Sequence, residues 1–158
     1  MDERLHLLQQ DMEAELEAIE SIFIALHRSD ANLDQARNAI VTGYYLHNLY
    51  NAFENLFRLV AEVFENHIPD TSRWHTLLLD RMARDIEGMR PRVIGEASLR
   101  ALDELRRFRH VFRHAYHYEL DPKGVKRALK AAYRLETAYR DDIQSFFGFL
   151  SRVADAKE

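Results

Sequence analysis

The stretch LDQARNAIVTGYYLHNLYNAFENLFRLVAEVFEN, residues 33–66, decides the fold class. Within it Ile40, Tyr44, Leu46, Leu49, Phe53, Leu56, Val60 and Phe64 give one helix a broad apolar surface, which predicts a central helix from about Leu33 to Asn66. Upstream, Leu5, Leu8, Met12, Leu16, Ile19, Phe23 and Leu26 recur every three or four residues. They predict a long amphipathic helix from Asp2 to about His27, joined to the central one by a loop at Arg28 to Asn32. Downstream, Pro69, Asp70 and Ser72 mark a turn, and Trp74 to about Glu87 reads as a shorter helix stopped by Gly88 and Pro91. Ser98 is the expected cap of a fourth helix reaching about His117. Asp121-Pro122 then supplies a cap and a proline at the first position of a last helix reaching about Val153. Four long helices and one short one, with short connections, predict an all-α, up-and-down helical bundle.

A chain of 158 residues fits a single domain, 1–158, with one sizeable core. Five glycines and three prolines are too little punctuation for many strands and turns. No repeat or low-complexity tract stands out. The Glu-rich segment Met1–Glu20 has no apolar core of signal-peptide type, and no run is long enough to span a bilayer, so a cytoplasmic, membrane-free location is expected. The absence of cysteine excludes disulfides, thiol catalysis and cysteine zinc sites.

A net charge of −4 argues against broad nonspecific nucleic-acid binding, yet the charge is uneven. Between Ser98 and Tyr118 stand five arginines and three histidines against two acids, Asp103 and Glu104. Such a strip suits a site that accepts a phosphodiester locally, or else it is a solvated helix face. Its centre is Arg109-His110-Val111-Phe112-Arg113-His114-Ala115-Tyr116. The apolar stripe of this helix runs Leu102, Leu105, Arg109, Phe112, Tyr116, so Arg109 occupies a position where leucine is expected. A guanidinium there is costly unless a carboxylate, a phosphate or carbonyls satisfy it. Five steps at about 100° each turn His114 by about 140° from Arg109, so a straight helix cannot aim both at one atom. A local distortion, or a two-fold dimer placing Arg109 and His114 of both chains in one cleft, would bring them together.

The pattern R-x4-H-x-Y, preceded by Leu105-Arg106-Arg107-Phe108 and followed by Tyr118-Glu119-Leu120-Asp121, resembles the motif of the HEPN superfamily, and within it the HepT-like ribonuclease toxins. The similarity extends to Gly43-Tyr44-Tyr45-Leu46-His47-Asn48, Glu54-Asn55-Leu56-Phe57 and Trp74-His75-Thr76-Leu77-Leu78, hence to nearly the whole chain. The resemblance implies a metal-independent endoribonuclease toxin, needing no cofactor, neutralised by a nucleotidyltransferase antitoxin of the MNT type. It implies a polar role for His110, and marks Tyr116 as the acceptor of a nucleotidyl group whose bulk and charge would block RNA. The chemistry fits these residue types. RNA carries its own nucleophile, so cleavage needs a base, an acid and a fixed cation, which suits His114 as base or acid and Arg109 as phosphate clamp. Glu54 is a candidate supporting partner that would hold and orient the Arg109 guanidinium.

Two other readings stay open. A non-catalytic HEPN module would bind nucleotide, RNA or a protein partner through the same basic cleft. A histidine metal site could use His110, His114 and His117 along one helix face. His6, His27, His47, His67 and His75 are scattered and read as structural or surface residues.

Overall fold

The computed structural model describes residues 3–65, 73–115 and 120–156. Among these the chain forms five α-helices: α1 (Glu3–Ser29), α2 (Ala36–Phe64), α3 (Trp74–Met82), α4 (Glu96–Arg113) and α5 (Pro122–Asp155). The all-α bundle expected from the apolar periodicity is thus the observed architecture. α1 packs along α2 and α4 along α5, while α2 touches all four other helices. Its breadth of apolar surface explains that central position, because a stripe wide enough for several neighbours must be covered by several neighbours. Met12, Ile19 and Leu26 of α1, Leu46, Phe53 and Val60 of α2, Leu78 of α3, Leu102 and Leu105 of α4, and Leu135 and Ile143 of α5 join one buried cluster. Among the described residues no helix is long and apolar enough to cross a membrane.

The ends of the helices show which local signals prevailed. Asp121 caps α5 by accepting a hydrogen bond from the Lys123 N–H at 3.0 Å, with Pro122 at the first helical position, as its sequence predicts. α3 stops at Met82, several residues short of the expected Glu87. The Met82 carbonyl accepts from the N–H groups of Val93 at 2.8 Å and Ile94 at 3.2 Å, so the returning chain takes the acceptor that another helical turn would have used. Ser98 is not the cap of α4. The helix opens one turn earlier, at Glu96 after Gly95, and Ser98, fully buried, donates its hydroxyl to Asp142 of α5 at 2.6 Å.

The segment between α3 and α4 is held from inside. The Arg90 side chain is fully buried, donates to the carbonyls of Arg81, Arg84 and Pro91, and pairs with Glu65 just beyond α2. A single guanidinium thereby satisfies three carbonyls of a turn that has little regular structure of its own beyond the bridge between Ile86 and Arg90.

Candidate functional site

α2 and α4 run antiparallel where the site forms. Gly43 of α2 sits against Phe112 of α4, and a Cβ at that glycine would stand 3.1 Å from the Phe112 ring and 3.0 Å from Leu120. Four residues on, His47 meets the same phenylalanine, with ring centroids 5.4 Å apart. One turn further, Tyr50 lies beneath Arg109, whose guanidinium carbon is 5.6 Å from the tyrosine ring centre. This register, 43 and 47 opposite 112 and 50 opposite 109, puts the arginine of the α4 stripe on an aromatic face in the seam between the two helices. The cation–π contact compensates part of its desolvation, yet the buried Nε of Arg109 has no hydrogen-bond partner.

Glu54 does not supply that partner. The expected Arg109–Glu54 pair is replaced by a different arrangement: Glu54 is 5 % exposed, accepts from Nδ1 of His75 at 2.6 Å, and has Arg58 at 3.7 Å. The reason is register, since position 50 rather than 54 faces Arg109. Tyr50 stands between the two, and its phenol is pushed well above the ordinary tyrosine range by burial first and the Glu54 charge second. Arg58 in turn covers the ring of Trp74 at 4.1 Å. His75, read from sequence as structural or surface, therefore orients a buried carboxylate.

α4 ends at Arg113, and His114 is its first non-helical residue, with φ −106° and ψ 7° and its N–H donated to the Val111 carbonyl at 3.2 Å. Its exposed ring meets that of His110 edge to face, centroids 4.7 Å apart. Arg109, His110 and His114 thus gather at one end of α4, but Arg109 and His114 share no hydrogen bond or ring contact within the chain. Tyr116 and His117 lie outside the described residues. Among the described residues no group of three or more histidine, aspartate or glutamate side chains is placed to hold a metal ion.

The arginine strip divides in two. Arg100 pairs with Glu96, and both Arg106 and Arg107 pair with Asp103, all on α4 itself, with Arg100 and Arg107 in solvent and Arg106 half-buried. Among the described residues Arg109 and Arg113 have no ion pair. These two cations stand at the carboxyl end of α4, beside the two histidines, with no described carboxylate at ion-pair distance.

His47 is the residue that sequence reasoning underrated. It is half-buried, its Nε2 is 3.2 Å from Nδ2 of Asn51, and its buried Nδ1 has no partner. Burial, then the charges of Arg109 and Arg113, lower its pKa from 6.5. A signal was present: His47, Tyr50, Asn51 and Glu54 place polar groups at three- and four-residue steps on an otherwise apolar helix. Beside them on α2 stand Ile40, 55 % exposed, and Tyr44, 54 % exposed, both of which the periodicity had assigned to the apolar surface. At about 100° per residue Ile40, Tyr44, His47 and Asn51 fall within a band of about 60°, which borders the Arg109 seam.

Compared with known families, residues 39–150 match a family model described as HepT-like protein, a span that contains α3 and α4 entire, nearly all of α2 and most of α5. No curated protein and no solved structure matches the chain.

Proposed function

Because the chain belongs to the HepT-like protein family, we propose that it is a metal-independent endoribonuclease toxin acting as a homodimer and restrained by a nucleotidyltransferase antitoxin of the MNT type. The observation that carries this reading is the pair Arg109 and Arg113, without an ion pair among the described residues, beside His110 and His114, with Arg109 Nε unsatisfied inside the seam. A group missing one acceptor, in a positive field, next to two imidazoles, matches what a phosphodiester requires.

In the proposed reaction the 2′-oxygen attacks phosphorus, its proton passes to a base, and the P–O5′ bond breaks as O5′ takes a proton from an acid. The products are a 2′,3′-cyclic phosphate and a 5′-hydroxyl. His114 serves as base or acid, Arg109 stabilises the charge gathered on the phosphoryl oxygens, and His110 supports His114 through their ring contact. Glu54 acts at one remove, through Tyr50 and His75 rather than by touching Arg109. Nucleotidylation of Tyr116 by the antitoxin would put bulk and negative charge two residues along the chain from His114.

A dimer is part of this reading. The His114 ring meets that of His110 and shares no contact with Arg109, which supports a site that takes one of the two from each protomer. The half-exposed Ile40 and Tyr44 beside the seam offer apolar area for that contact.

The test is cleavage of end-labelled and total RNA by the purified protein in excess EDTA, beside His114→Ala, with mass spectrometry of the product ends. Cyclic-phosphate ends from the unmodified sequence only are the expected result. Absence of cleavage by protein shown by mass to carry no nucleotidyl group, with RNA binding retained, would select the non-catalytic module instead.

A further inference from the structure

Four buried side-chain nitrogen and oxygen atoms among the described residues lack a hydrogen-bond partner, and two of them, Nδ1 of His47 and Nε of Arg109, belong to the seam between α2 and α4. The state of His47 follows from its neighbour. With the Asn51 amide nitrogen placed against Nε2 of His47, that nitrogen accepts, and the neutral ring in this arrangement carries its proton on Nδ1. Arg109 Nε is likewise a donor. Two N–H groups on facing helices therefore lie buried in one seam without an acceptor, and among the described residues only two other buried side-chain atoms, on Glu65 and Arg90, share that state.

We propose that His47 is a second, substrate-contacting histidine of this cleft, whose Nδ1–H and the Nε–H of Arg109 together hold oxygens of a bound phosphodiester. The proposal rests on the ribonuclease reading and adds to it a group on a different helix from the R-x4-H motif. The fit is specific to an oxygen anion, because two donors backed by the charges of Arg109 and Arg113 offer nothing to a cation or to another donor. Phe112 packs against the imidazole and the Asn51 amide nitrogen lies against its Nε2, so Nδ1 is the ring nitrogen left free for a ligand. The two nitrogens are themselves buried while both residues are half-buried as a whole, so contact with a bound oxygen requires both side chains to turn outward from the seam.

The experiment measures binding of a 2′-O-methyl RNA oligonucleotide, which lacks the attacking hydroxyl, by fluorescence anisotropy to the full chain and three variants. His47→Phe keeps a ring against Phe112 without a donor. His47→Asn places an amide N–H near the Nδ1 position, and Arg109→Ala reports on the site itself. The expected result is a loss of roughly ten- to a hundredfold for His47→Phe, as for one charge-assisted hydrogen bond, with His47→Asn staying within about threefold of the unmodified chain. Arg109→Ala loses affinity as well.

Unchanged binding by a folded His47→Phe, with Arg109→Ala impaired, overturns the proposal and leaves the site reading standing. Absence of binding by the unmodified chain, or binding indifferent to Arg109→Ala, overturns both. Should His47→Phe fail to fold, the same decision comes from the side-chain nitrogen resonances of the unmodified protein during the titration. His47 Nδ1 and Arg109 Nε are expected to move together. Movement of Arg109 Nε alone overturns the role of His47, and movement of neither overturns the site.

Discussion

Arg109 is a residue the fold tolerates rather than requires. It interrupts a stripe formed by Leu102 and Leu105, both fully buried, its guanidinium rests on Tyr50, and its Nε finds no acceptor. An unsatisfied donor in such a place costs on the order of 1–3 kcal/mol, less here because the residue is only partly buried. Arg109→Met, which keeps the length and drops the charge, is therefore expected to raise stability by about 1 kcal/mol, a melting temperature about 2–4 °C higher for a domain of this size. The same change should remove RNA cleavage. A melting temperature that falls would mean that the Tyr50 contact outweighs the missing acceptor. His47 gives a second, pH-dependent prediction. It is flanked by Phe112, Arg109 and Arg113 on α4 and by Tyr50 and Asn51 on its own helix, and its pKa lies below 6.5 in the folded chain. Above about pH 6.5 the ring is neutral folded or unfolded; below it the unfolded chain takes up a proton that the folded chain resists, so stability falls as pH falls. Urea denaturation at about pH 7.5 and pH 5.5 should show a larger acid loss in the unmodified protein than in His47→Phe. Equal losses would place the effect in other groups. Of these two residues, the oddness of Arg109 was legible from one helix's periodicity. The role of His47 was not, because it depends on which turn of α4 lies opposite, and that is a property of two helices.

At the scale of elements, what could be read in the sequence followed how local the deciding interaction is. The Asp121-Pro122 start of α5 is settled within three residues, and it was legible. The end of α3 is settled by Val93 and Ile94 returning to the Met82 carbonyl, and the start of α4 by Ser98 reaching Asp142, so neither could be read from its own neighbourhood. Nor did anything local single out Arg90, a charged residue beside Pro91, as a buried clamp. With its side chain wholly buried and paired with Glu65, whose side chain is 6 % exposed, its removal leaves a carboxylate without its main counter-charge and three carbonyls without a donor. Arg90→Ala is expected to cost about 3–5 kcal/mol, read as a lower urea midpoint. Arg90→Met combined with Glu65→Leu should recover much of it, since an apolar pair carries no desolvation penalty. If the double variant is no better than Arg90→Ala, then the carbonyl hydrogen bonds, not the orphaned charge, dominate the cost.

At the scale of the whole molecule, Arg109 and Arg113 of α4 and the half-exposed Ile40 and Tyr44 of α2 all lie by the α2–α4 seam. Arg109 points into the seam, while His114, just past the end of α4, turns to His110. If the working pair is Arg109 of one protomer with His114 of its partner, the defects Arg109→Ala and His114→Ala can complement each other. A mixed dimer then has one pairing with both residues lost and one with both intact. Random re-association of equal amounts gives about half mixed dimers, each with one working pair of two, so about a quarter of the unmodified cleavage should return from two inactive parents. A pair contained within a single chain predicts no recovery, because every chain in the mixture then carries a defect. Tyr44→Glu supplies the physical control. Placing a charge at this half-exposed position should convert a dimer into a monomer in sedimentation without lowering the melting temperature, because the side chain is not part of the chain's own core, and should abolish cleavage. Full activity in a monomeric Tyr44→Glu would mean that one chain brings Arg109 and His114 together unaided, and that the tightened turn at His114 opens when RNA binds.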